Sequence, residues 1–251
     1  MTGPLSYIGG KNRLAKTIIP LIPKHKTYVE PFFGGGQVFF HKAPSTVEVI
    51  NDLSDEIVNF FRICQSHHEE LTRYLKYMLI SRKWFELCRG TDPSRLTDIQ
   101  KAARFFYLQK NAFGGLVNSR HPKLTVEQHP NYNPQRIPEL LAQTHERLQR
   151  VQIECLPYQE ILKRCDRPET FFYLDPPYWN KSLYHFNFKE QDFIELNQVL
   201  KRLKGKFILS LNDLAEVRKL FSEFRIQEVS LSYTARSLPG RKYRELLISN
   251  F

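Results

Sequence analysis

The residues best equipped for chemistry in this chain are Asp175-Pro176-Pro177-Tyr178. Two successive prolines fix φ twice and donate no N–H, so the turn is stiff and its carbonyls stay free to accept. A rigid carboxylate, a fixed carbonyl and an aromatic face suit a flat base bearing an exocyclic amine. Asp175 and the Pro176 carbonyl can accept the two amine hydrogens while Tyr178 stacks on the ring. An aromatic amine is a poor nucleophile because its lone pair is delocalised into the ring. Two acceptors aimed at its hydrogens favour the pyramidal nitrogen that attacks a methyl group, which is transition-state stabilisation by preorganised dipoles. A proline-rich turn with a surface tyrosine would use the same four letters, so the quartet needs its context.

That context is a strand. Thr170-Phe171-Phe172-Tyr173-Leu174 is β-branched and aromatic and reads as a buried strand, which places the quartet at a strand's carboxyl end. Open α/β sheets put their ligand crevices there. Further strands are predicted over Thr27–Glu30, Thr46–Ile50, Val151–Glu154, Lys206–Leu211, Ile226–Ser232 and Glu245–Asn250. Ser54 is a candidate N-cap for a helix with Ile57, Phe60 and Phe61 on one face. A second helix is predicted over Asp192–Lys204, with Phe193, Leu196, Leu200 and Leu203 on one side. Between residues 59 and 150 strand signals give way to helical patterns, aromatics and basic residues. Seven strands alternating with helices and interrupted by a helical insertion predict a doubly wound sheet carrying a second lobe.

A second constellation follows the first strand directly: Glu30-Pro31-Phe32-Phe33-Gly34-Gly35-Gly36. Glycines there permit positive φ and close approach of backbone to a ligand. Asp52 ends the second strand near the spacing at which doubly wound folds place an acid on a ribose hydroxyl. The spacing alone fits a nicotinamide cofactor as well as S-adenosyl-L-methionine. The loop is not G-x-G-x-x-G, however, and Glu30 would repel a pyrophosphate, so an adenosyl cofactor without phosphates is favoured.

The chain has 251 residues, enough for one α/β domain plus an insertion, with 37 Lys+Arg against 26 Asp+Glu for a net charge of +11. That excess favours a polyanionic partner, nucleic acid first. No stretch approaches 18 uninterrupted apolar residues, and Met1-Thr2-Gly3-Pro4 does not read as a signal peptide. Cys64, Cys88, Cys155 and Cys165 lack CxxC spacing, and the eight histidines form no metal-site spacing. A reduced, cytoplasmic, metal-free protein is the expectation.

Together these residues resemble the Dam-like family of N6-adenine DNA methyltransferases, in order along nearly the whole chain. Tyr7-Ile8-Gly9-Gly10-Lys11 looks like its amino-terminal aromatic-x-Gly-Gly-Lys element, and Tyr28 to Gly36 is similar to its Val-Glu-Pro-Phe-x-Gly-x-Gly loop. Asn51-Asp52-Leu53 lies where the family has an acidic ribose ligand. Asp175 to Tyr178 matches the catalytic loop, and Glu245 to Phe251 the closing strand. The resemblance implies an α/β, Rossmann-like seven-stranded methyltransferase sheet with an inserted, mostly helical target-recognition domain. Residues 1–58 and 151–251 would form the S-adenosylmethionine-dependent catalytic domain and residues 59–150 the insertion. It also implies that Tyr7 packs on the cofactor adenine and that Lys11 lies near cofactor and DNA. The loop bearing Glu30, Phe32, Gly34 and Gly36 would wrap the methionine part, and Asp52 would bind the ribose. Asp175 would sit between cofactor and target amine, with Tyr178 on an adenine flipped out of double-stranded DNA. The context implied is a bacterial or phage-encoded monomer associated with the nucleoid, with a restriction nuclease as possible counterpart.

The insertion departs from the pattern. Tyr107 to Leu116 resembles the family's Leu-Asn-Arg-x-x-Phe-Asn-Gly-Leu segment, but Gln109 and Lys110 replace its Asn-Arg and Gly114 replaces its Asn. Val117 to His121 has Asn118, two residues after Leu116, where GATC-reading members have an arginine, which argues against GATC as the target. Phosphate contacts set affinity and base-edge contacts set specificity. The candidates for both are Asn118, Arg120 and Lys123 in one loop and Arg236, Arg241, Lys242 and Arg244, among Tyr233 and Tyr243, in another. Phe186 and Phe188 read as core. Cytosine-C5 chemistry is excluded because no cysteine follows a proline. Methylation of an RNA adenine or a protein glutamine, or a silent DNA-binding protein on this fold, are the alternatives. Asp rather than Asn at 175 and the basic insertion favour DNA.

Overall fold

The computed structural model describes residues 2–5, 12–112, 121–122, 129–181, 186–232 and 242–251. Strands β1 (Thr27–Glu30), β2 (Val47–Asn51), β3 (Val151–Glu154), β4 (Thr170–Leu174), β5 (Lys206–Asn212), β6 (Arg225–Ser232) and β7 (Lys242–Ser249) form one sheet in the order β3-β2-β1-β4-β5-β7-β6. The first five pair in parallel, and β7 runs antiparallel between β5 and β6. All seven predicted strands are present. Their ends move by at most three residues, most at β7, whose pairing with β6 starts at Lys242 rather than Glu245.

Helices α1 (Asn12–Ile18) and α2 (Gln37–His41) flank β1, and α3 (Asp55–Ser66), α4 (His68–Lys76), α5 (Arg82–Gly90), α6 (Asp98–Asn111) and α7 (Ile137–Leu148) lie between β2 and β3. Then α8 (Tyr158–Cys165), α9 (Glu190–Leu200) and α10 (Ala215–Leu220) follow β3, β4 and β5. Side chains alternate across a strand, so each strand feeds both faces of the sheet. Tyr28, Phe171, Tyr173, Ile208 and Leu247 enter one core cluster with Phe60, Phe61, Phe105, Phe106 and Leu141 of α3, α6 and α7. Val29, Phe172, Leu174, Leu209 and Ile248 enter the other with Ile161, Phe193, Leu196 and Val217 of α8, α9 and α10. Burial on both faces is why β4 reads as an unbroken apolar run rather than an alternating one. The helices between β2 and β3 therefore share a core with the sheet. The division at residues 58 and 59 falls within α3, two residues before the buried Phe60 and Phe61.

Two local expectations are corrected. The helix predicted over Asp192–Lys204 runs Glu190–Leu200, because Asp192 caps it from its third position by accepting the Lys189 N–H at 2.7 Å. Its far end stops early because the Lys204 and Gly205 amides turn away to Asp166 Oδ1, each at 2.9 Å. Ser54 occupies the N-cap position of α3, but its hydroxyl makes no capping bond; its amide donates instead to Asp52 Oδ1 at 2.9 Å.

A buried ion cluster ties α7 to the sheet. Glu48 of β2 accepts from Lys42 Nζ at 2.5 Å and from the two terminal guanidinium nitrogens of Arg147 at 2.5 and 2.9 Å. The guanidinium also lies 3.7 Å from the Phe39 ring centre. Burial alone would raise the Glu48 carboxyl, but the hydrogen bonds and charges of Arg147 and Lys42 outweigh it and hold it below its ordinary value. Removing the acid strands two buried cations, so Glu48→Ala is expected to cost about 3–5 kcal/mol at neutral pH. A carboxyl with a depressed folded pKa contributes stability above its unfolded value, about 4.3, and loses it as pH falls through the folded one. Thermal melts should accordingly show the gap between wild type and Glu48→Ala narrowing below about pH 4; a gap independent of pH would contradict the ion cluster.

Candidate active site

The strand order reverses between β1 and β4: the chain fills one side of β1 with β2 and β3, and then returns to place β4 on the other. Connections leave the two strands in opposite directions there, and a crevice opens at their carboxyl ends. Glu30 is the last residue of β1, and Asp175 directly follows β4. Both face the side on which Tyr28 and Tyr173 lie, given the parallel register Tyr28↔Phe171. The two carboxyls are near enough for Asp175 to push the Glu30 carboxyl upward. The larger cause is burial, and a hydrogen bond from Tyr28 Oη at 2.9 Å only partly offsets it, so Glu30 titrates well above the usual carboxylate range.

The glycine loop is anchored from β2. Asn51 Nδ2 donates to the Pro31 carbonyl at 2.9 Å and to the Leu156 carbonyl at 3.0 Å, and its Oδ1 accepts the Leu156 amide at 2.9 Å. One buried amide thus fastens the loops after β1 and β3 to the end of β2. Asp52 Oδ2 accepts the Gly34 amide at 2.8 Å, and the Gly36 amide donates to Phe33 O at 2.7 Å. Gly34 and Gly36 both have positive φ, and a Cβ on Gly36 would meet the Phe33 ring at 2.3 Å, so that position admits only glycine.

These contacts test which cofactor fits. A pyrophosphate needs free backbone N–H groups and a helix N-terminus, but here the Gly34 and Gly36 amides are already bonded within the protein. The crevice offers acceptors instead: Glu30, Asp52 and Asp175. Acceptors suit ribose hydroxyls, an ammonium and a sulfonium, which are the polar groups of S-adenosylmethionine. Asp52 accepts from the backbone of Gly34, Ser54 and Leu53 and still retains acceptor capacity, since a carboxylate has about four acceptor sites.

The Asp175–Tyr178 loop is clamped from β5 and β7. Asn212, the last residue of β5, accepts the Trp179 amide at 3.1 Å and donates back to the Trp179 carbonyl at 3.3 Å. Tyr178 donates its hydroxyl to Glu245 Oε1, and Ser210 Oγ donates to the same oxygen at 3.0 Å. A turn from the Tyr178 carbonyl to the Lys181 amide, 3.1 Å, carries Asn180 at φ 56°, a left-handed position that asparagine tolerates. Aromatic contacts join this loop to the glycine loop, running Phe32–Phe188 (5.6 Å between centroids), Phe188–Phe193 (5.2 Å) and Phe193–Trp179 (4.6 Å). Phe188 is partly buried and packs against the core, but Phe186 does not: it is 54 % exposed.

The structure thus brings Glu30, Phe32, Gly34, Gly36, Asp52, Asp175, Pro176 and Tyr178 to one end of the sheet. Tyr7, Lys11, Asn118, Arg120, Lys123, Arg236 and Arg241 lie outside the described residues, and Lys242 opens β7. Arg244 pairs with Glu228 across the β6–β7 ladder at 3.5 Å, an exposed contact that occupies one of the basic residues of that segment. Sequence reasoning missed Asn51, Asn212 and Glu245. The signal for Glu245 was a lone acid heading the apolar run Leu246-Leu247-Ile248.

A seven-stranded sheet with an antiparallel seventh strand, and an acceptor-lined crevice at its switch point, define a Rossmann-like methyltransferase. The chain belongs to the D12 class of N6 adenine-specific DNA methyltransferases, whose family model matches residues 7–235. It is 28 % identical over 269 aligned positions to the type II methyltransferase M1.LlaDCHI of Lactococcus lactis subsp. cremoris, covering 98 % of this chain and 94 % of that one. It is 24 % identical to the type II methyltransferase M.CviBI of Paramecium bursaria Chlorella virus NC1A, over 94 % of this chain and 93 % of the relative. It is also 24 % identical to the DNA adenine methylase of Escherichia coli K12, over 97 % and 93 %. The protein is an enzyme that transfers a methyl group from S-adenosylmethionine to adenine N6 in DNA.

The raised Glu30 carboxyl gives a signed expectation. A buried acid whose folded pKa exceeds its unfolded value, about 4.3, costs nothing below that value, and stability then falls as pH rises towards the folded one. Glu30→Gln keeps the neutral shape at every pH. Its melting temperature should therefore decline less than that of the wild type between pH 5 and 8, and equal slopes would show that Glu30 is ionised in the folded protein.

Proposed function

We propose that this enzyme methylates the adenine of one short DNA sequence, held flipped in the crevice beside Asp175. The observation that carries this reading is the placing of the rigid Asp175 turn beyond β4, against the buried Glu30 at the end of β1. Asp175 and the Pro176 carbonyl accept the two hydrogens of the target amine, and Tyr178 lies on the base. Bound S-adenosylmethionine supplies an electrophilic methyl group on a sulfonium. Asp52 takes the ribose hydroxyls; Glu30, Phe32, Gly34 and Gly36 line the methionine end; Tyr7 and Lys11 close over the adenine side. The carboxylates of the crevice favour a cation, and the bond to be formed needs only the orientation that the clamped loop gives the amine.

Double-stranded DNA is held by a surface that the overall charge of +11 makes attractive to phosphate. Asn118, Arg120 and Lys123, within the 59–150 target-recognition insertion, read base edges, and Arg236, Arg241 and Lys242 hold the backbone near the extruded adenine. The target differs from GATC, because Asn118 stands two residues after Leu116, where GATC-reading members have an arginine. The enzyme works as a monomer at cytoplasmic or nucleoid DNA, alone or opposite a restriction nuclease; among the described residues no helix is long and apolar enough to cross a membrane.

Incubation with unmethylated genomic DNA and labelled S-adenosylmethionine, followed by mapping of modified bases, is expected to place N6-methyladenine in a short defined motif. Methyl transfer to RNA or protein with none to DNA would overturn the assignment of substrate. Asp175→Ala should lower kcat by at least about 100-fold, in line with loss of a preorganised group at the reacting centre. Nonspecific DNA binding should survive that change and weaken as salt rises. Asp52→Ala should chiefly weaken cofactor binding, and unchanged affinity would remove Asp52 from the site.

A further inference from the structure

We infer that Glu245 is a positioning residue for base stacking: it holds the Tyr178 ring by its hydroxyl in the orientation that receives the extruded adenine, an inference that rests on the functional reading above. Glu245 is the fourth residue of β7 and is 4 % exposed. A buried carboxylate is costly unless its oxygens are hydrogen-bonded. Here Oε1 accepts from both the Tyr178 hydroxyl and Ser210 Oγ.

The geometry separates two jobs on adjacent residues of one loop. Asn212 grips the main chain of Trp179 from both sides and so sets where the loop runs. That grip acts on the main chain alone. A bond from the far end of the Tyr178 side chain to a fixed acid restrains its two χ angles, because a phenol pinned at its oxygen and at its Cα does not swing away from the crevice. Asn212 and Glu245 are direct cross-strand partners on β5 and β7, so both anchors rest on one rung of the ladder. Strand β7 also leads directly out of the segment holding Arg236, Arg241 and Lys242. The strand that meets the proposed backbone-binding residues is therefore the one that fixes the stacking ring.

The test is a double-mutant cycle on a duplex carrying the mapped site. Tyr178→Phe keeps the ring and loses the hydroxyl, and Glu245→Leu loses the acceptor. Each is expected to lower kcat about tenfold, with the dissociation constant for S-adenosylmethionine unchanged, and the double variant should be no slower than the slower single. Glu245→Gln retains an acceptor oxygen and should recover most of the loss. Should Glu245→Leu fail to fold, the cycle is run with Glu245→Gln and Tyr178→Phe, where the small Gln effect should vanish in the Phe background. Multiplicative losses, or a Glu245→Leu enzyme that melts earlier but turns over at the wild-type rate, would reduce Glu245 to a structural acid and overturn the inference. A wild-type enzyme that transfers no methyl group to DNA would instead sink the functional reading, and the inference with it.

Discussion

Everything at the site depends on where a parallel sheet must part. A chain that lays strands first on one side of β1 and then on the other leaves a gap at the carboxyl ends of β1 and β4 that no connection can cover. Backbone groups at the edge of that gap would be left without partners if the loops were loose. In this protein they are satisfied from within: Asn51 takes the carbonyls of Pro31 and Leu156, Asp52 takes the Gly34 amide, and Asn212 takes both polar groups of Trp179. Three short polar side chains, each at or just beyond a strand end, thus turn a topological gap into a rigid cleft. Rigidity matters here because positioned dipoles assist a reaction only if they need not reorganise as charge moves.

The electrostatics run in two directions at once. The chain as a whole is strongly basic, yet Glu30, Asp52, Asp175 and Glu245 gather at one end of the sheet. A basic exterior raises the local concentration of a polyanion and speeds its encounter. Acceptors at the cleft suit the ammonium, sulfonium and hydroxyls of S-adenosylmethionine. Burial raises the Glu30 carboxyl above its ordinary value, and hydroxyl donors satisfy Glu30 and Glu245.

Strand existence was legible in the sequence because β-branched and aromatic runs bounded by turn residues carry a local signal. β3 and β4 match their expected limits residue for residue. Limits shifted where a partner decides them: β7 reaches back to Lys242 because β6 offers a ladder that extends to Ser232. Asp175, Glu30 and Asp52 were visible because each ends a strand and precedes a turn, the place where topology puts ligands. Phe186 was misread because a period of two needs a strand, and residues 186–189 form none, so the burial of Phe188 against Phe32 and Phe193 says nothing of Phe186. Asn212 and Glu245 were invisible for a related reason. Their roles exist only through contacts 33 and 67 residues away in the chain, which no local pattern encodes.

That long-range dependence bears on how the family can vary. Residues that bind or react must stand at strand ends, so their spacing is tied to the sheet and recurs as a motif. Residues that aim them can come from any strand that reaches the same rung. In this chain the aiming falls to β5 and β7, and β7 is the strand that cannot extend the parallel sheet and must insert antiparallel between β5 and β6. Antiparallel insertion brings the start of β7, rather than its end, to the catalytic edge. A residue three positions beyond the first of the strand, Glu245, then meets Tyr178 of the loop that follows β4. The reversed strand is therefore the one strand of the described sheet whose entry, rather than exit, lies at the end of the sheet that carries Asp175, and Glu245 near that entry holds the Tyr178 hydroxyl.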